Sequence, residues 1–420
     1  MAKRVRAKIE SMAFKGYGVS RIDGRVVFIP YSAVGEEGWV EVLEEKKNYA
    51  IARWMEILAP SPWRVKPPCP YFGTCGGCQW QHIDYEQHIE LKRGILKDVL
   101  MRLGGLKEIP FITAFPSPNP YDYRTRVQLK VKAKRLGYYQ EKSHQLVVIE
   151  RCPIAHPLVN EIISLLRQEP FLLSLTEEIE INVSPKEGKG VVMFYSRDSS
   201  HEWQASLYRF LKSHPILGGI TILRERETIV LGNPHLRFTI PLNLTLRTSP
   251  GSFFQVNLKQ NEKLIQKVLD FSHRQRHERT LDLYSGVGNL TLPLAAVSKE
   301  VLGIEEDAVA VRDARFNARF NRIETVRFVR GKVEVVLKKW KGKEPNLILL
   351  DPPRTGAKAV VDPVTGLRPK GVVYVSCEPT LLARDLRLFS ERSYLLRELA
   401  LIDMFPQTYH MEVVGLLQEG

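Results

Sequence analysis

The sequence has few cysteines, and it has no apolar run long enough to cross a bilayer. Five cysteines in 420 residues, an odd number, do not suit the paired framework of a disulfide-stabilised secreted protein. The basic N-terminus leads into further charged residues instead of an apolar core, so we expect no signal peptide. The sequence also shows no internal repeat and no long low-complexity tract. These absences predict an ordinary globular protein of the cytoplasm, monomeric and without a membrane partner.

Acidic residues are also in short supply. The chain has 61 Lys and Arg against 47 Asp and Glu, a formal net charge of +14. An excess of this size indicates a polyanionic partner such as RNA, although a merely basic soluble protein would show it too. The hydrophobic fraction of 44% and the charged fraction of 26% are typical of globular proteins, and the length allows about two to four domains.

The five cysteines divide into a group of four and a single one. Cys69, Cys75 and Cys78 follow the pattern Cys-x5-Cys-Gly-Gly-Cys, and Cys152 comes much later. Four thiols complete a tetrahedral sulfur site, and their spacing suits zinc and an iron–sulfur cluster equally well. Cys377 stands alone at the end of an apolar run. It is either a nucleophile at a strand end or a buried, inert thiol.

The first 58 residues predict a small β-barrel of the oligonucleotide-binding kind, with Asp23-Gly24 as a hairpin turn. The five predicted strands are Val5–Ser11, Gly18–Ile22, Val26–Ile29, Gly38–Leu43 and Ala50–Glu56. Basic residues from Lys3 to Arg25 alternate with aromatic ones along these strands. Positive charge beside flat rings suits a phosphate backbone with stackable bases, and a solvated barrel face explains the same pattern.

The middle of the chain begins with a proline-rich linker over residues 59–68 and continues into a predicted helix from Tyr85 to Leu103. From Arg124 to Lys134 every second residue is basic or polar, which predicts a half-buried strand with a basic outer face. This face carries five positive charges and no acid, so we expect it to face RNA. The alternative is a solvated face that keeps an edge strand soluble.

After Pro250 strands and helices alternate, which predicts a parallel α/β sheet. A helix is expected over Asn257–Phe271, and buried strands over Thr280–Tyr284, Val301–Ile304 and Leu347–Leu350. The carboxyl ends of such strands form one edge of the sheet, where ligands bind.

Several motifs fall at that edge. Asp282 to Asn289 contains a glycine turn between a strand and a helix, but Thr291 replaces the third small residue of a dinucleotide fingerprint. Glu305 ends the next strand, where a carboxylate can bind both ribose hydroxyls of a nucleoside. A glycine turn and a ribose-binding acid without a phosphate site suit S-adenosylmethionine. Asp351-Pro352-Pro353-Arg354 and Cys377 end two further strands at the same edge.

In these motifs the chain resembles the RNA 5-methyluridine (uracil-C5) methyltransferases, and the resemblance spans essentially the whole chain. Besides the cysteine pattern, the matching segments are Ser252–Asn257, Asp282–Asn289, Gly303–Glu305, Asp351–Arg354, Val375–Pro379 and Asp403–Glu412. The resemblance implies a multi-domain α/β protein. Its parts are an OB-like TRAM barrel for RNA binding over residues 1–59, a central α+β domain with an iron–sulfur site over 60–250, and a Rossmann-like class I methyltransferase domain over 251–420. The helix over 85–104 could pack on that last domain.

The resemblance also implies residue roles. Cys377 would add to carbon 6 of uracil, which makes carbon 5 nucleophilic toward the methyl donor, and Glu412 would then remove the carbon 5 proton. The thiol must be partly ionised, so we expect an electropositive, semi-exposed site. The remaining implied site residues fall into methyl-donor contacts (Gln255, Tyr284, Glu305 and Asp351), a residue that packs or stacks beside the uracil (Phe253), and ligands of a structural [4Fe-4S] cluster (Cys69, Cys75, Cys78 and Cys152).

The RNA itself is less clear from the sequence. The combination of barrel and cluster resembles bacterial 23S rRNA enzymes most closely, and a tRNA methyltransferase of the same mechanism is the alternative. A radical-type RNA-modifying enzyme and a non-catalytic RNA-binding protein also stay open. The fourth thiol, Cys152, argues against the radical type, which needs an exposed three-cysteine site.

Overall fold

The computed structural model describes residues 4–174, 176–196, 204–224, 227–273 and 277–420, so that Lys3 lies outside the described residues. The N-terminal sheet has the strand order β1-β5-β6-β4-β3-β2. Only β4 and β6 pair in parallel. Its strands are β1 (Arg4–Lys8), β2 (Ser11–Ala13), β3 (Tyr17–Ile22), β4 (Arg25–Ile29), β5 (Glu37–Glu45) and β6 (Tyr49–Ala59).

This unit has six strands where the sequence predicts five. The predicted strand Val5–Ser11 divides in two because the chain changes partners there: β1 pairs with β5, whereas β2 pairs with β3. Between them, the N–H of Ile9 donates to Glu36 and that of Glu10 donates to Val19. The predicted hairpin turn is confirmed, since Asp23 and Gly24 both have positive φ, 51° and 77°, as a tight two-residue turn requires.

The predicted helix of the middle region is confirmed as α1 (Tyr85–Arg102). The Asp84 side chain caps it, and Ile95, Leu96, Val99 and Leu100 lie on its buried face. A single strand, β7 (Ile112–Phe115), comes next. The central elements that follow are β8 (Arg126–Lys132), β9 (Arg135–Tyr139), β10 (Leu146–Val148), α2 (Pro157–Arg167), α3 (Pro170–Leu173), β11 (Glu178–Ser184), β12 (Lys189–Tyr195), α4 (Gln204–Ser213), β13 (Leu217–Leu223) and β14 (Thr228–Gly232).

These central strands form a seven-stranded sheet of order β10-β9-β8-β11-β12-β13-β14. The predicted basic strand is its member β8, and its outer face is less basic than its own sequence indicates. The neighbouring strand β11 brings Glu180 to Arg126, at 2.8 Å, and Glu178 to Lys130. The predicted half-buried strand is confirmed by its alternating burial, but a cross-strand neighbour that is distant in sequence adds acids to its outer face.

The last part of the chain builds an eight-stranded sheet of order β19-β18-β17-β20-β21-β23-β22-β7. Its strands and helices, after the hairpin β15 (Leu236–Ile240) and β16 (Leu244–Thr248), are α5 (Leu258–His273), β17 (His277–Leu283), α6 (Thr291–Leu294), β18 (Ser298–Glu305), α7 (Ala308–Phe320), β19 (Val326–Arg330), α8 (Val333–Lys338), β20 (Leu347–Leu350), α9 (Val361–Gly366), β21 (Gly371–Ser376), α10 (Pro379–Ser390), β22 (Tyr394–Ile402) and β23 (Glu412–Glu419).

The predicted parallel sheet is confirmed, with one addition. The neighbours β19, β18, β17, β20 and β21 are parallel, whereas β23 runs antiparallel between β21 and β22. Alternate residues of the strands enter two hydrophobic clusters, one on each face of the sheet. Covered on both sides, the sheet is nearly all apolar, so the polar residues at its strand ends form the site.

Both α1 and β7 pack with this sheet, although they precede the central strands. Residues of α1 belong to the hydrophobic cluster on one of its faces, and β7 pairs in parallel with β22 at its edge. The boundaries predicted at residues 59 and 250 stay predictions. None of the described helices is long and apolar enough to span a membrane.

Candidate active site

The predicted site residues of the sheet lie at one edge. Glu305 is the last residue of β18, and Tyr284, Asp351 and Cys377 each come directly after a strand of the same parallel set. The strands run in the same direction, so their carboxyl ends meet. The acids are close enough to interact, since burial and, to a lesser degree, Glu305 raise the pKa of Asp351.

Cys377 and Glu412 are brought together by strand register. The antiparallel strands β21 and β23 place Ser376 opposite Val413. The next pair in this register is Cys377 and Glu412, one directly after β21 and the other the first residue of β23. Because β23 runs antiparallel, it begins at the edge where the parallel strands end.

The Cys377 thiol is partly buried, and its surroundings are more acidic than the sequence predicts. Burial raises its pKa to about 12, Glu412 and Asp351 raise it as well, and the Arg354 guanidinium lowers it. The expected semi-exposed thiol is present. The expected electropositive site is wrong, because two carboxyl groups and burial outweigh one cation.

The carboxyl groups at this edge are themselves shifted toward their neutral forms. Glu412 is buried, and burial together with Asp351 holds its pKa well above the usual range, against the effect of Arg354. Burial and Glu305 raise the pKa of Asp351 to about 7. A neutral Glu412 no longer opposes ionisation of the neighbouring thiol.

The glycine turn after β17 has the backbone of a ligand cradle. Tyr284, Gly286 and Gly288 all have positive φ, from 52° to 91°. Glu305 holds the turn, because its Oε2 accepts the Gly286 N–H at 3.0 Å while its Oε1 accepts the Asp307 N–H at 2.8 Å. The Tyr284 hydroxyl donates to Glu334 at 3.1 Å.

Asp282 is a candidate that sequence reasoning did not single out. Its carboxyl group is buried below the turn, where Oδ2 accepts from Thr291 at 2.5 Å. Among the described residues, Oδ1 and the Ser285 hydroxyl have no hydrogen-bond partner. Burial raises the pKa of Asp282 to about 8. Unpaired polar atoms beside a glycine turn fit a ligand with a polar, cationic end, which S-adenosylmethionine has.

The loop that carries Phe253 and Gln255 is fixed from α7. Asp313 accepts hydrogen bonds from the Ser249 N–H, at 2.7 Å, and from the Ser252 hydroxyl, at 2.8 Å. Gln255 is buried, whereas Phe253 is 60% exposed. Within the described residues, no hydrogen bond joins Gln255 to the acids of the sheet edge. The guanidinium of Arg126, from β8, lies 5.9 Å from the centre of the Phe253 ring.

The four other cysteines lie together, away from Cys377. Burial, and to a lesser degree the neighbouring thiols, raise the pKa of Cys75 to about 11 and that of Cys78 to about 12. Burial is also the main cause that raises the pKa of Cys69 and of Cys152. In the part of the chain that the structure describes, no three Cys, His, Asp or Glu side chains are arranged to hold a single metal ion.

Comparisons with known proteins identify the family of the chain. A family model described as tRNA (Uracil-5-)-methyltransferase matches residues 84–419. A second model, the TRAM domain of tRNA (uracil(54)-C(5))-methyltransferase, matches residues 5–63. A protein of Aquifex aeolicus named as an uncharacterized RNA methyltransferase is 34% identical over 428 residues, which cover 99% of each chain.

Two further proteins extend these matches. An uncharacterized RNA methyltransferase of Caldanaerobacter subterraneus is 34% identical over 447 residues, with 100% of this chain and 98% of the relative covered. The fold is similar to the crystal structure of Pyrococcus abyssi tRNA (uracil-54, C5)-methyltransferase in complex with S-adenosyl-L-homocysteine, with a TM-score of 0.78 and 25% identity. That match covers 98% of this chain and 100% of the other.

Proposed function

The chain belongs to the RNA uracil-C5 methyltransferase family, and we propose that its substrate is a tRNA, methylated at a uridine of the uracil-54 type. It is an S-adenosylmethionine-dependent RNA (uracil-C5)-methyltransferase with an N-terminal TRAM domain and a class I methyltransferase-like domain. The sequence alone favours 23S rRNA as the target. The comparisons support the tRNA alternative better, because both the TRAM model and the similar solved structure are described as tRNA uracil-54 enzymes.

The observation that carries the proposed chemistry is the register that sets Cys377 opposite Glu412. Carbon 5 of uracil is a poor nucleophile. Addition of the Cys377 thiolate to carbon 6 moves electron density to carbon 5, which can then attack the methyl group of the donor and release S-adenosylhomocysteine. Glu412 takes the carbon 5 proton, the bond to sulfur breaks, and the thiolate leaves.

The raised pKa values set a condition on this sequence. In the free enzyme both the Cys377 thiol and the Glu412 carboxyl group favour their protonated forms, yet the thiol must react as thiolate and the carboxyl group must accept a proton. Arg354 is the group that lowers the pKa of both. We therefore assign to Arg354 the stabilisation of negative charge at this edge.

For the methyl donor we propose contacts with Gln255, Tyr284, Glu305 and Asp351, and we add Asp282. Glu305 at the end of β18 suits the ribose hydroxyls. The unpaired Oδ1 of Asp282 suits the amino group of the methionine part. Asp351, with a pKa of about 7, lies between these acids and Cys377 and would meet the positive charge of the donor.

We propose that Cys69, Cys75, Cys78 and Cys152 hold a structural [4Fe-4S] cluster. Four neighbouring thiols supply the right ligands, and their mutual effect on pKa supports one shared site. The spacing of the thiols suits zinc equally well, and the resemblance to the family favours the four-iron cluster. Anaerobically purified protein should absorb near ~400 nm, and stoichiometric zinc without iron would overturn the assignment.

The proposed RNA surface comprises the barrel, the face of β8, and the exposed ring of Phe253 near Arg126. An exposed aromatic ring next to a guanidinium group is suited to stack a base that has left its helix. A uridine in a single-stranded loop reaches the pocket at a lower cost in free energy than one inside a duplex, because it need not be unpaired.

The substrate can be tested with RNA transcripts and tritium-labelled methyl donor. We expect label in an unmodified tRNA transcript, none in the same tRNA with uridine 54 replaced by cytidine, and none in a 23S rRNA transcript. Label confined to the 23S transcript would overturn the tRNA assignment. A 5-fluorouridine version of the tRNA should form a covalent adduct with the wild-type enzyme and none with Cys377→Ala, which a radical enzyme or a simple RNA-binding protein would not do.

A further inference from the structure

A fully buried lysine reaches the loop that precedes Glu412. This loop, which we call the base loop, covers residues 403–411 between β22 and β23 and ends directly before the proposed base. Lys92 on α1 has no exposed side-chain surface. Its ammonium group donates to the Asp403 carboxylate at 2.6 Å, to the Phe405 carbonyl at 3.2 Å and to the His410 carbonyl at 2.6 Å.

These three acceptors use all three protons of the ammonium group. They also span the base loop, since Asp403 is its first residue and His410 its last but one. One side chain therefore holds the two ends of the loop together. His410 is two residues before Glu412. The hydrogen bond to its carbonyl therefore fixes the position at which β23 begins.

The partner of the lysine is also fully engaged. The second oxygen of Asp403 accepts from the Tyr85 hydroxyl at 2.8 Å, and Tyr85 in turn accepts the Ser117 N–H at 2.7 Å. The Asp403 N–H donates to Phe115, at the end of β7. An ion pair buried without solvent brings little net stability over an apolar pair of the same size, so its retention favours a role in setting geometry.

The other side of the base loop is held by the cysteine-rich segment. The N–H groups of Gln79 and Trp80, directly after Cys78, both donate to the Gln407 carbonyl at 3.1 Å. The Tyr123 hydroxyl donates to Pro406 at 3.1 Å. With the cysteine-rich segment on one side, Lys92 is the charged contact on the other.

We propose that Lys92 is a positioning residue that sets the base loop, and thereby Glu412, for removal of the carbon 5 proton. The inference rests on the proposed role of Glu412 as the base. It separates the two halves of the reaction: thiol addition and methyl transfer depend on the parallel strands, whereas proton removal depends on β23 and the loop before it.

The test must separate positioning from folding. Lys92→Met alone leaves the Asp403 charge buried without a partner, which is strongly destabilising. The double variant Lys92→Met with Asp403→Asn removes both charges and keeps an oxygen for Tyr85. It leaves the Phe405 and His410 carbonyls without the lysine donor, so we expect it to fold with a lowered melting temperature, and activity is measured well below that temperature. Lys97→Met, an exposed lysine of the same helix, is the matched control.

With an unmodified tRNA transcript we expect the double variant to turn over about 10 to 100 times more slowly, as small displacements of a catalytic group do. The methylated protein–RNA adduct should accumulate on denaturing gels, as in Glu412→Gln. Capture of 5-fluorouridine tRNA, which needs no proton removal, should stay within about threefold of the wild type. Lys97→Met should match the wild type in each measurement.

A folded double variant without adduct accumulation would overturn the inference, as would an equal loss in turnover and in 5-fluorouridine capture. If Glu412→Gln itself shows no adduct, the assignment of the base fails and the inference fails with it. If Glu412→Gln shows adduct and the double variant does not, only the role of Lys92 is lost.

Discussion

Acidic side chains are paired with cations in one of the two large sheets and lack such partners at one edge of the other. In the seven-stranded sheet Glu178 and Glu180 of β11 each face a cation of β8. At the edge of the eight-stranded sheet Asp282, Asp351 and Glu412 have no cation within ion-pair distance among the described residues. Their pKa values are raised, with burial as the main cause.

The difference separates a structural use of charge from a functional one. A carboxylate paired with a cation on the neighbouring strand stabilises the sheet. A buried carboxyl group without a cation costs free energy and shifts toward its neutral form. Two of these groups, Asp351 and Glu412, act on the Cys377 thiol. Buried acids without a cation beside a thiol are costly to the fold, which is typical of sites selected for chemistry. If this interpretation holds, substitutions at the two sheets should have different effects.

The largest effect is expected for Cys377→Ala, which removes the thiol beside Glu412 and Asp351. Methyl transfer should fall by at least about 10⁴-fold because no other thiol of the site can add to carbon 6. Binding of the tRNA transcript, measured by filter retention, should survive, since the thiol carries no phosphate contact. Turnover of more than a trace in a tritium-methyl assay would show that the acids serve another reaction.

Glu412→Gln should have the next largest effect. Loss of a general base lowers turnover by about 10²- to 10⁴-fold, and the methylated adduct should persist because its carbon 5 proton stays in place. Its thermal stability should match the wild type, since Gln is close in shape to the neutral carboxyl group.

The control in the other sheet is Glu180→Gln, which leaves Arg126 without its partner. Here the free energy of unfolding should fall by about 1–3 kcal/mol, and no adduct should accumulate. If Glu412→Gln and Glu180→Gln change stability equally, or both accumulate adduct, the distinction between the two sheets is lost.

Much of the eight-stranded sheet could be predicted from the sequence, and the pairing at its centre could not. The apolar runs before Glu305, Asp351 and Cys377 predict parallel strands with their ends together. The sequence contains no local signal that β23 returns antiparallel between β21 and β22, because this depends on packing of distant segments. The family resemblance implies that Cys377 and Glu412 act together, and periodicity does not.

The acids facing β8 were missed for the same reason. Alternation identifies the outer face of a strand but says nothing of the strand next to it, which lies about 50 residues away in the chain. Lys92 did leave a signal. It stands three and four residues before Ile95 and Leu96, on the apolar stripe of α1, and a lysine in that position must find a buried partner.

The pH dependence of the free energy of unfolding is a third test of the comparison between the two sheets. The variant for this test is Asp282→Asn. The pKa of Asp282 is raised by burial to about 8 in the folded protein, against 3.8 for an ordinary Asp side chain. Between these values the folded state binds more protons than the unfolded state, so the stability contributed by this group falls as pH rises.

The asparagine variant should lose up to about 1.4 kcal/mol per pH unit of this dependence between pH 4 and 8 while keeping the bond from Thr291. Chemical unfolding at several pH values measures it. A slope that is equal in variant and wild type would mean that Asp282 is charged in the folded protein, like a paired acid.

The smallest effect is expected for Glu178→Gln, which frees Lys130 on β8 without touching the apolar core. If the outer face of β8 contacts RNA, one more cation is available to phosphate, so tRNA should bind about two- to threefold more tightly and the salt dependence should steepen by about 0.7 to 0.9 in log–log slope. The matched control is Glu161→Gln, an exposed acid on α2, which packs on the opposite, apolar face of β8. Equal changes in the two variants would mean that only net charge matters, and that the ion pairs of this sheet are structural without bordering the RNA.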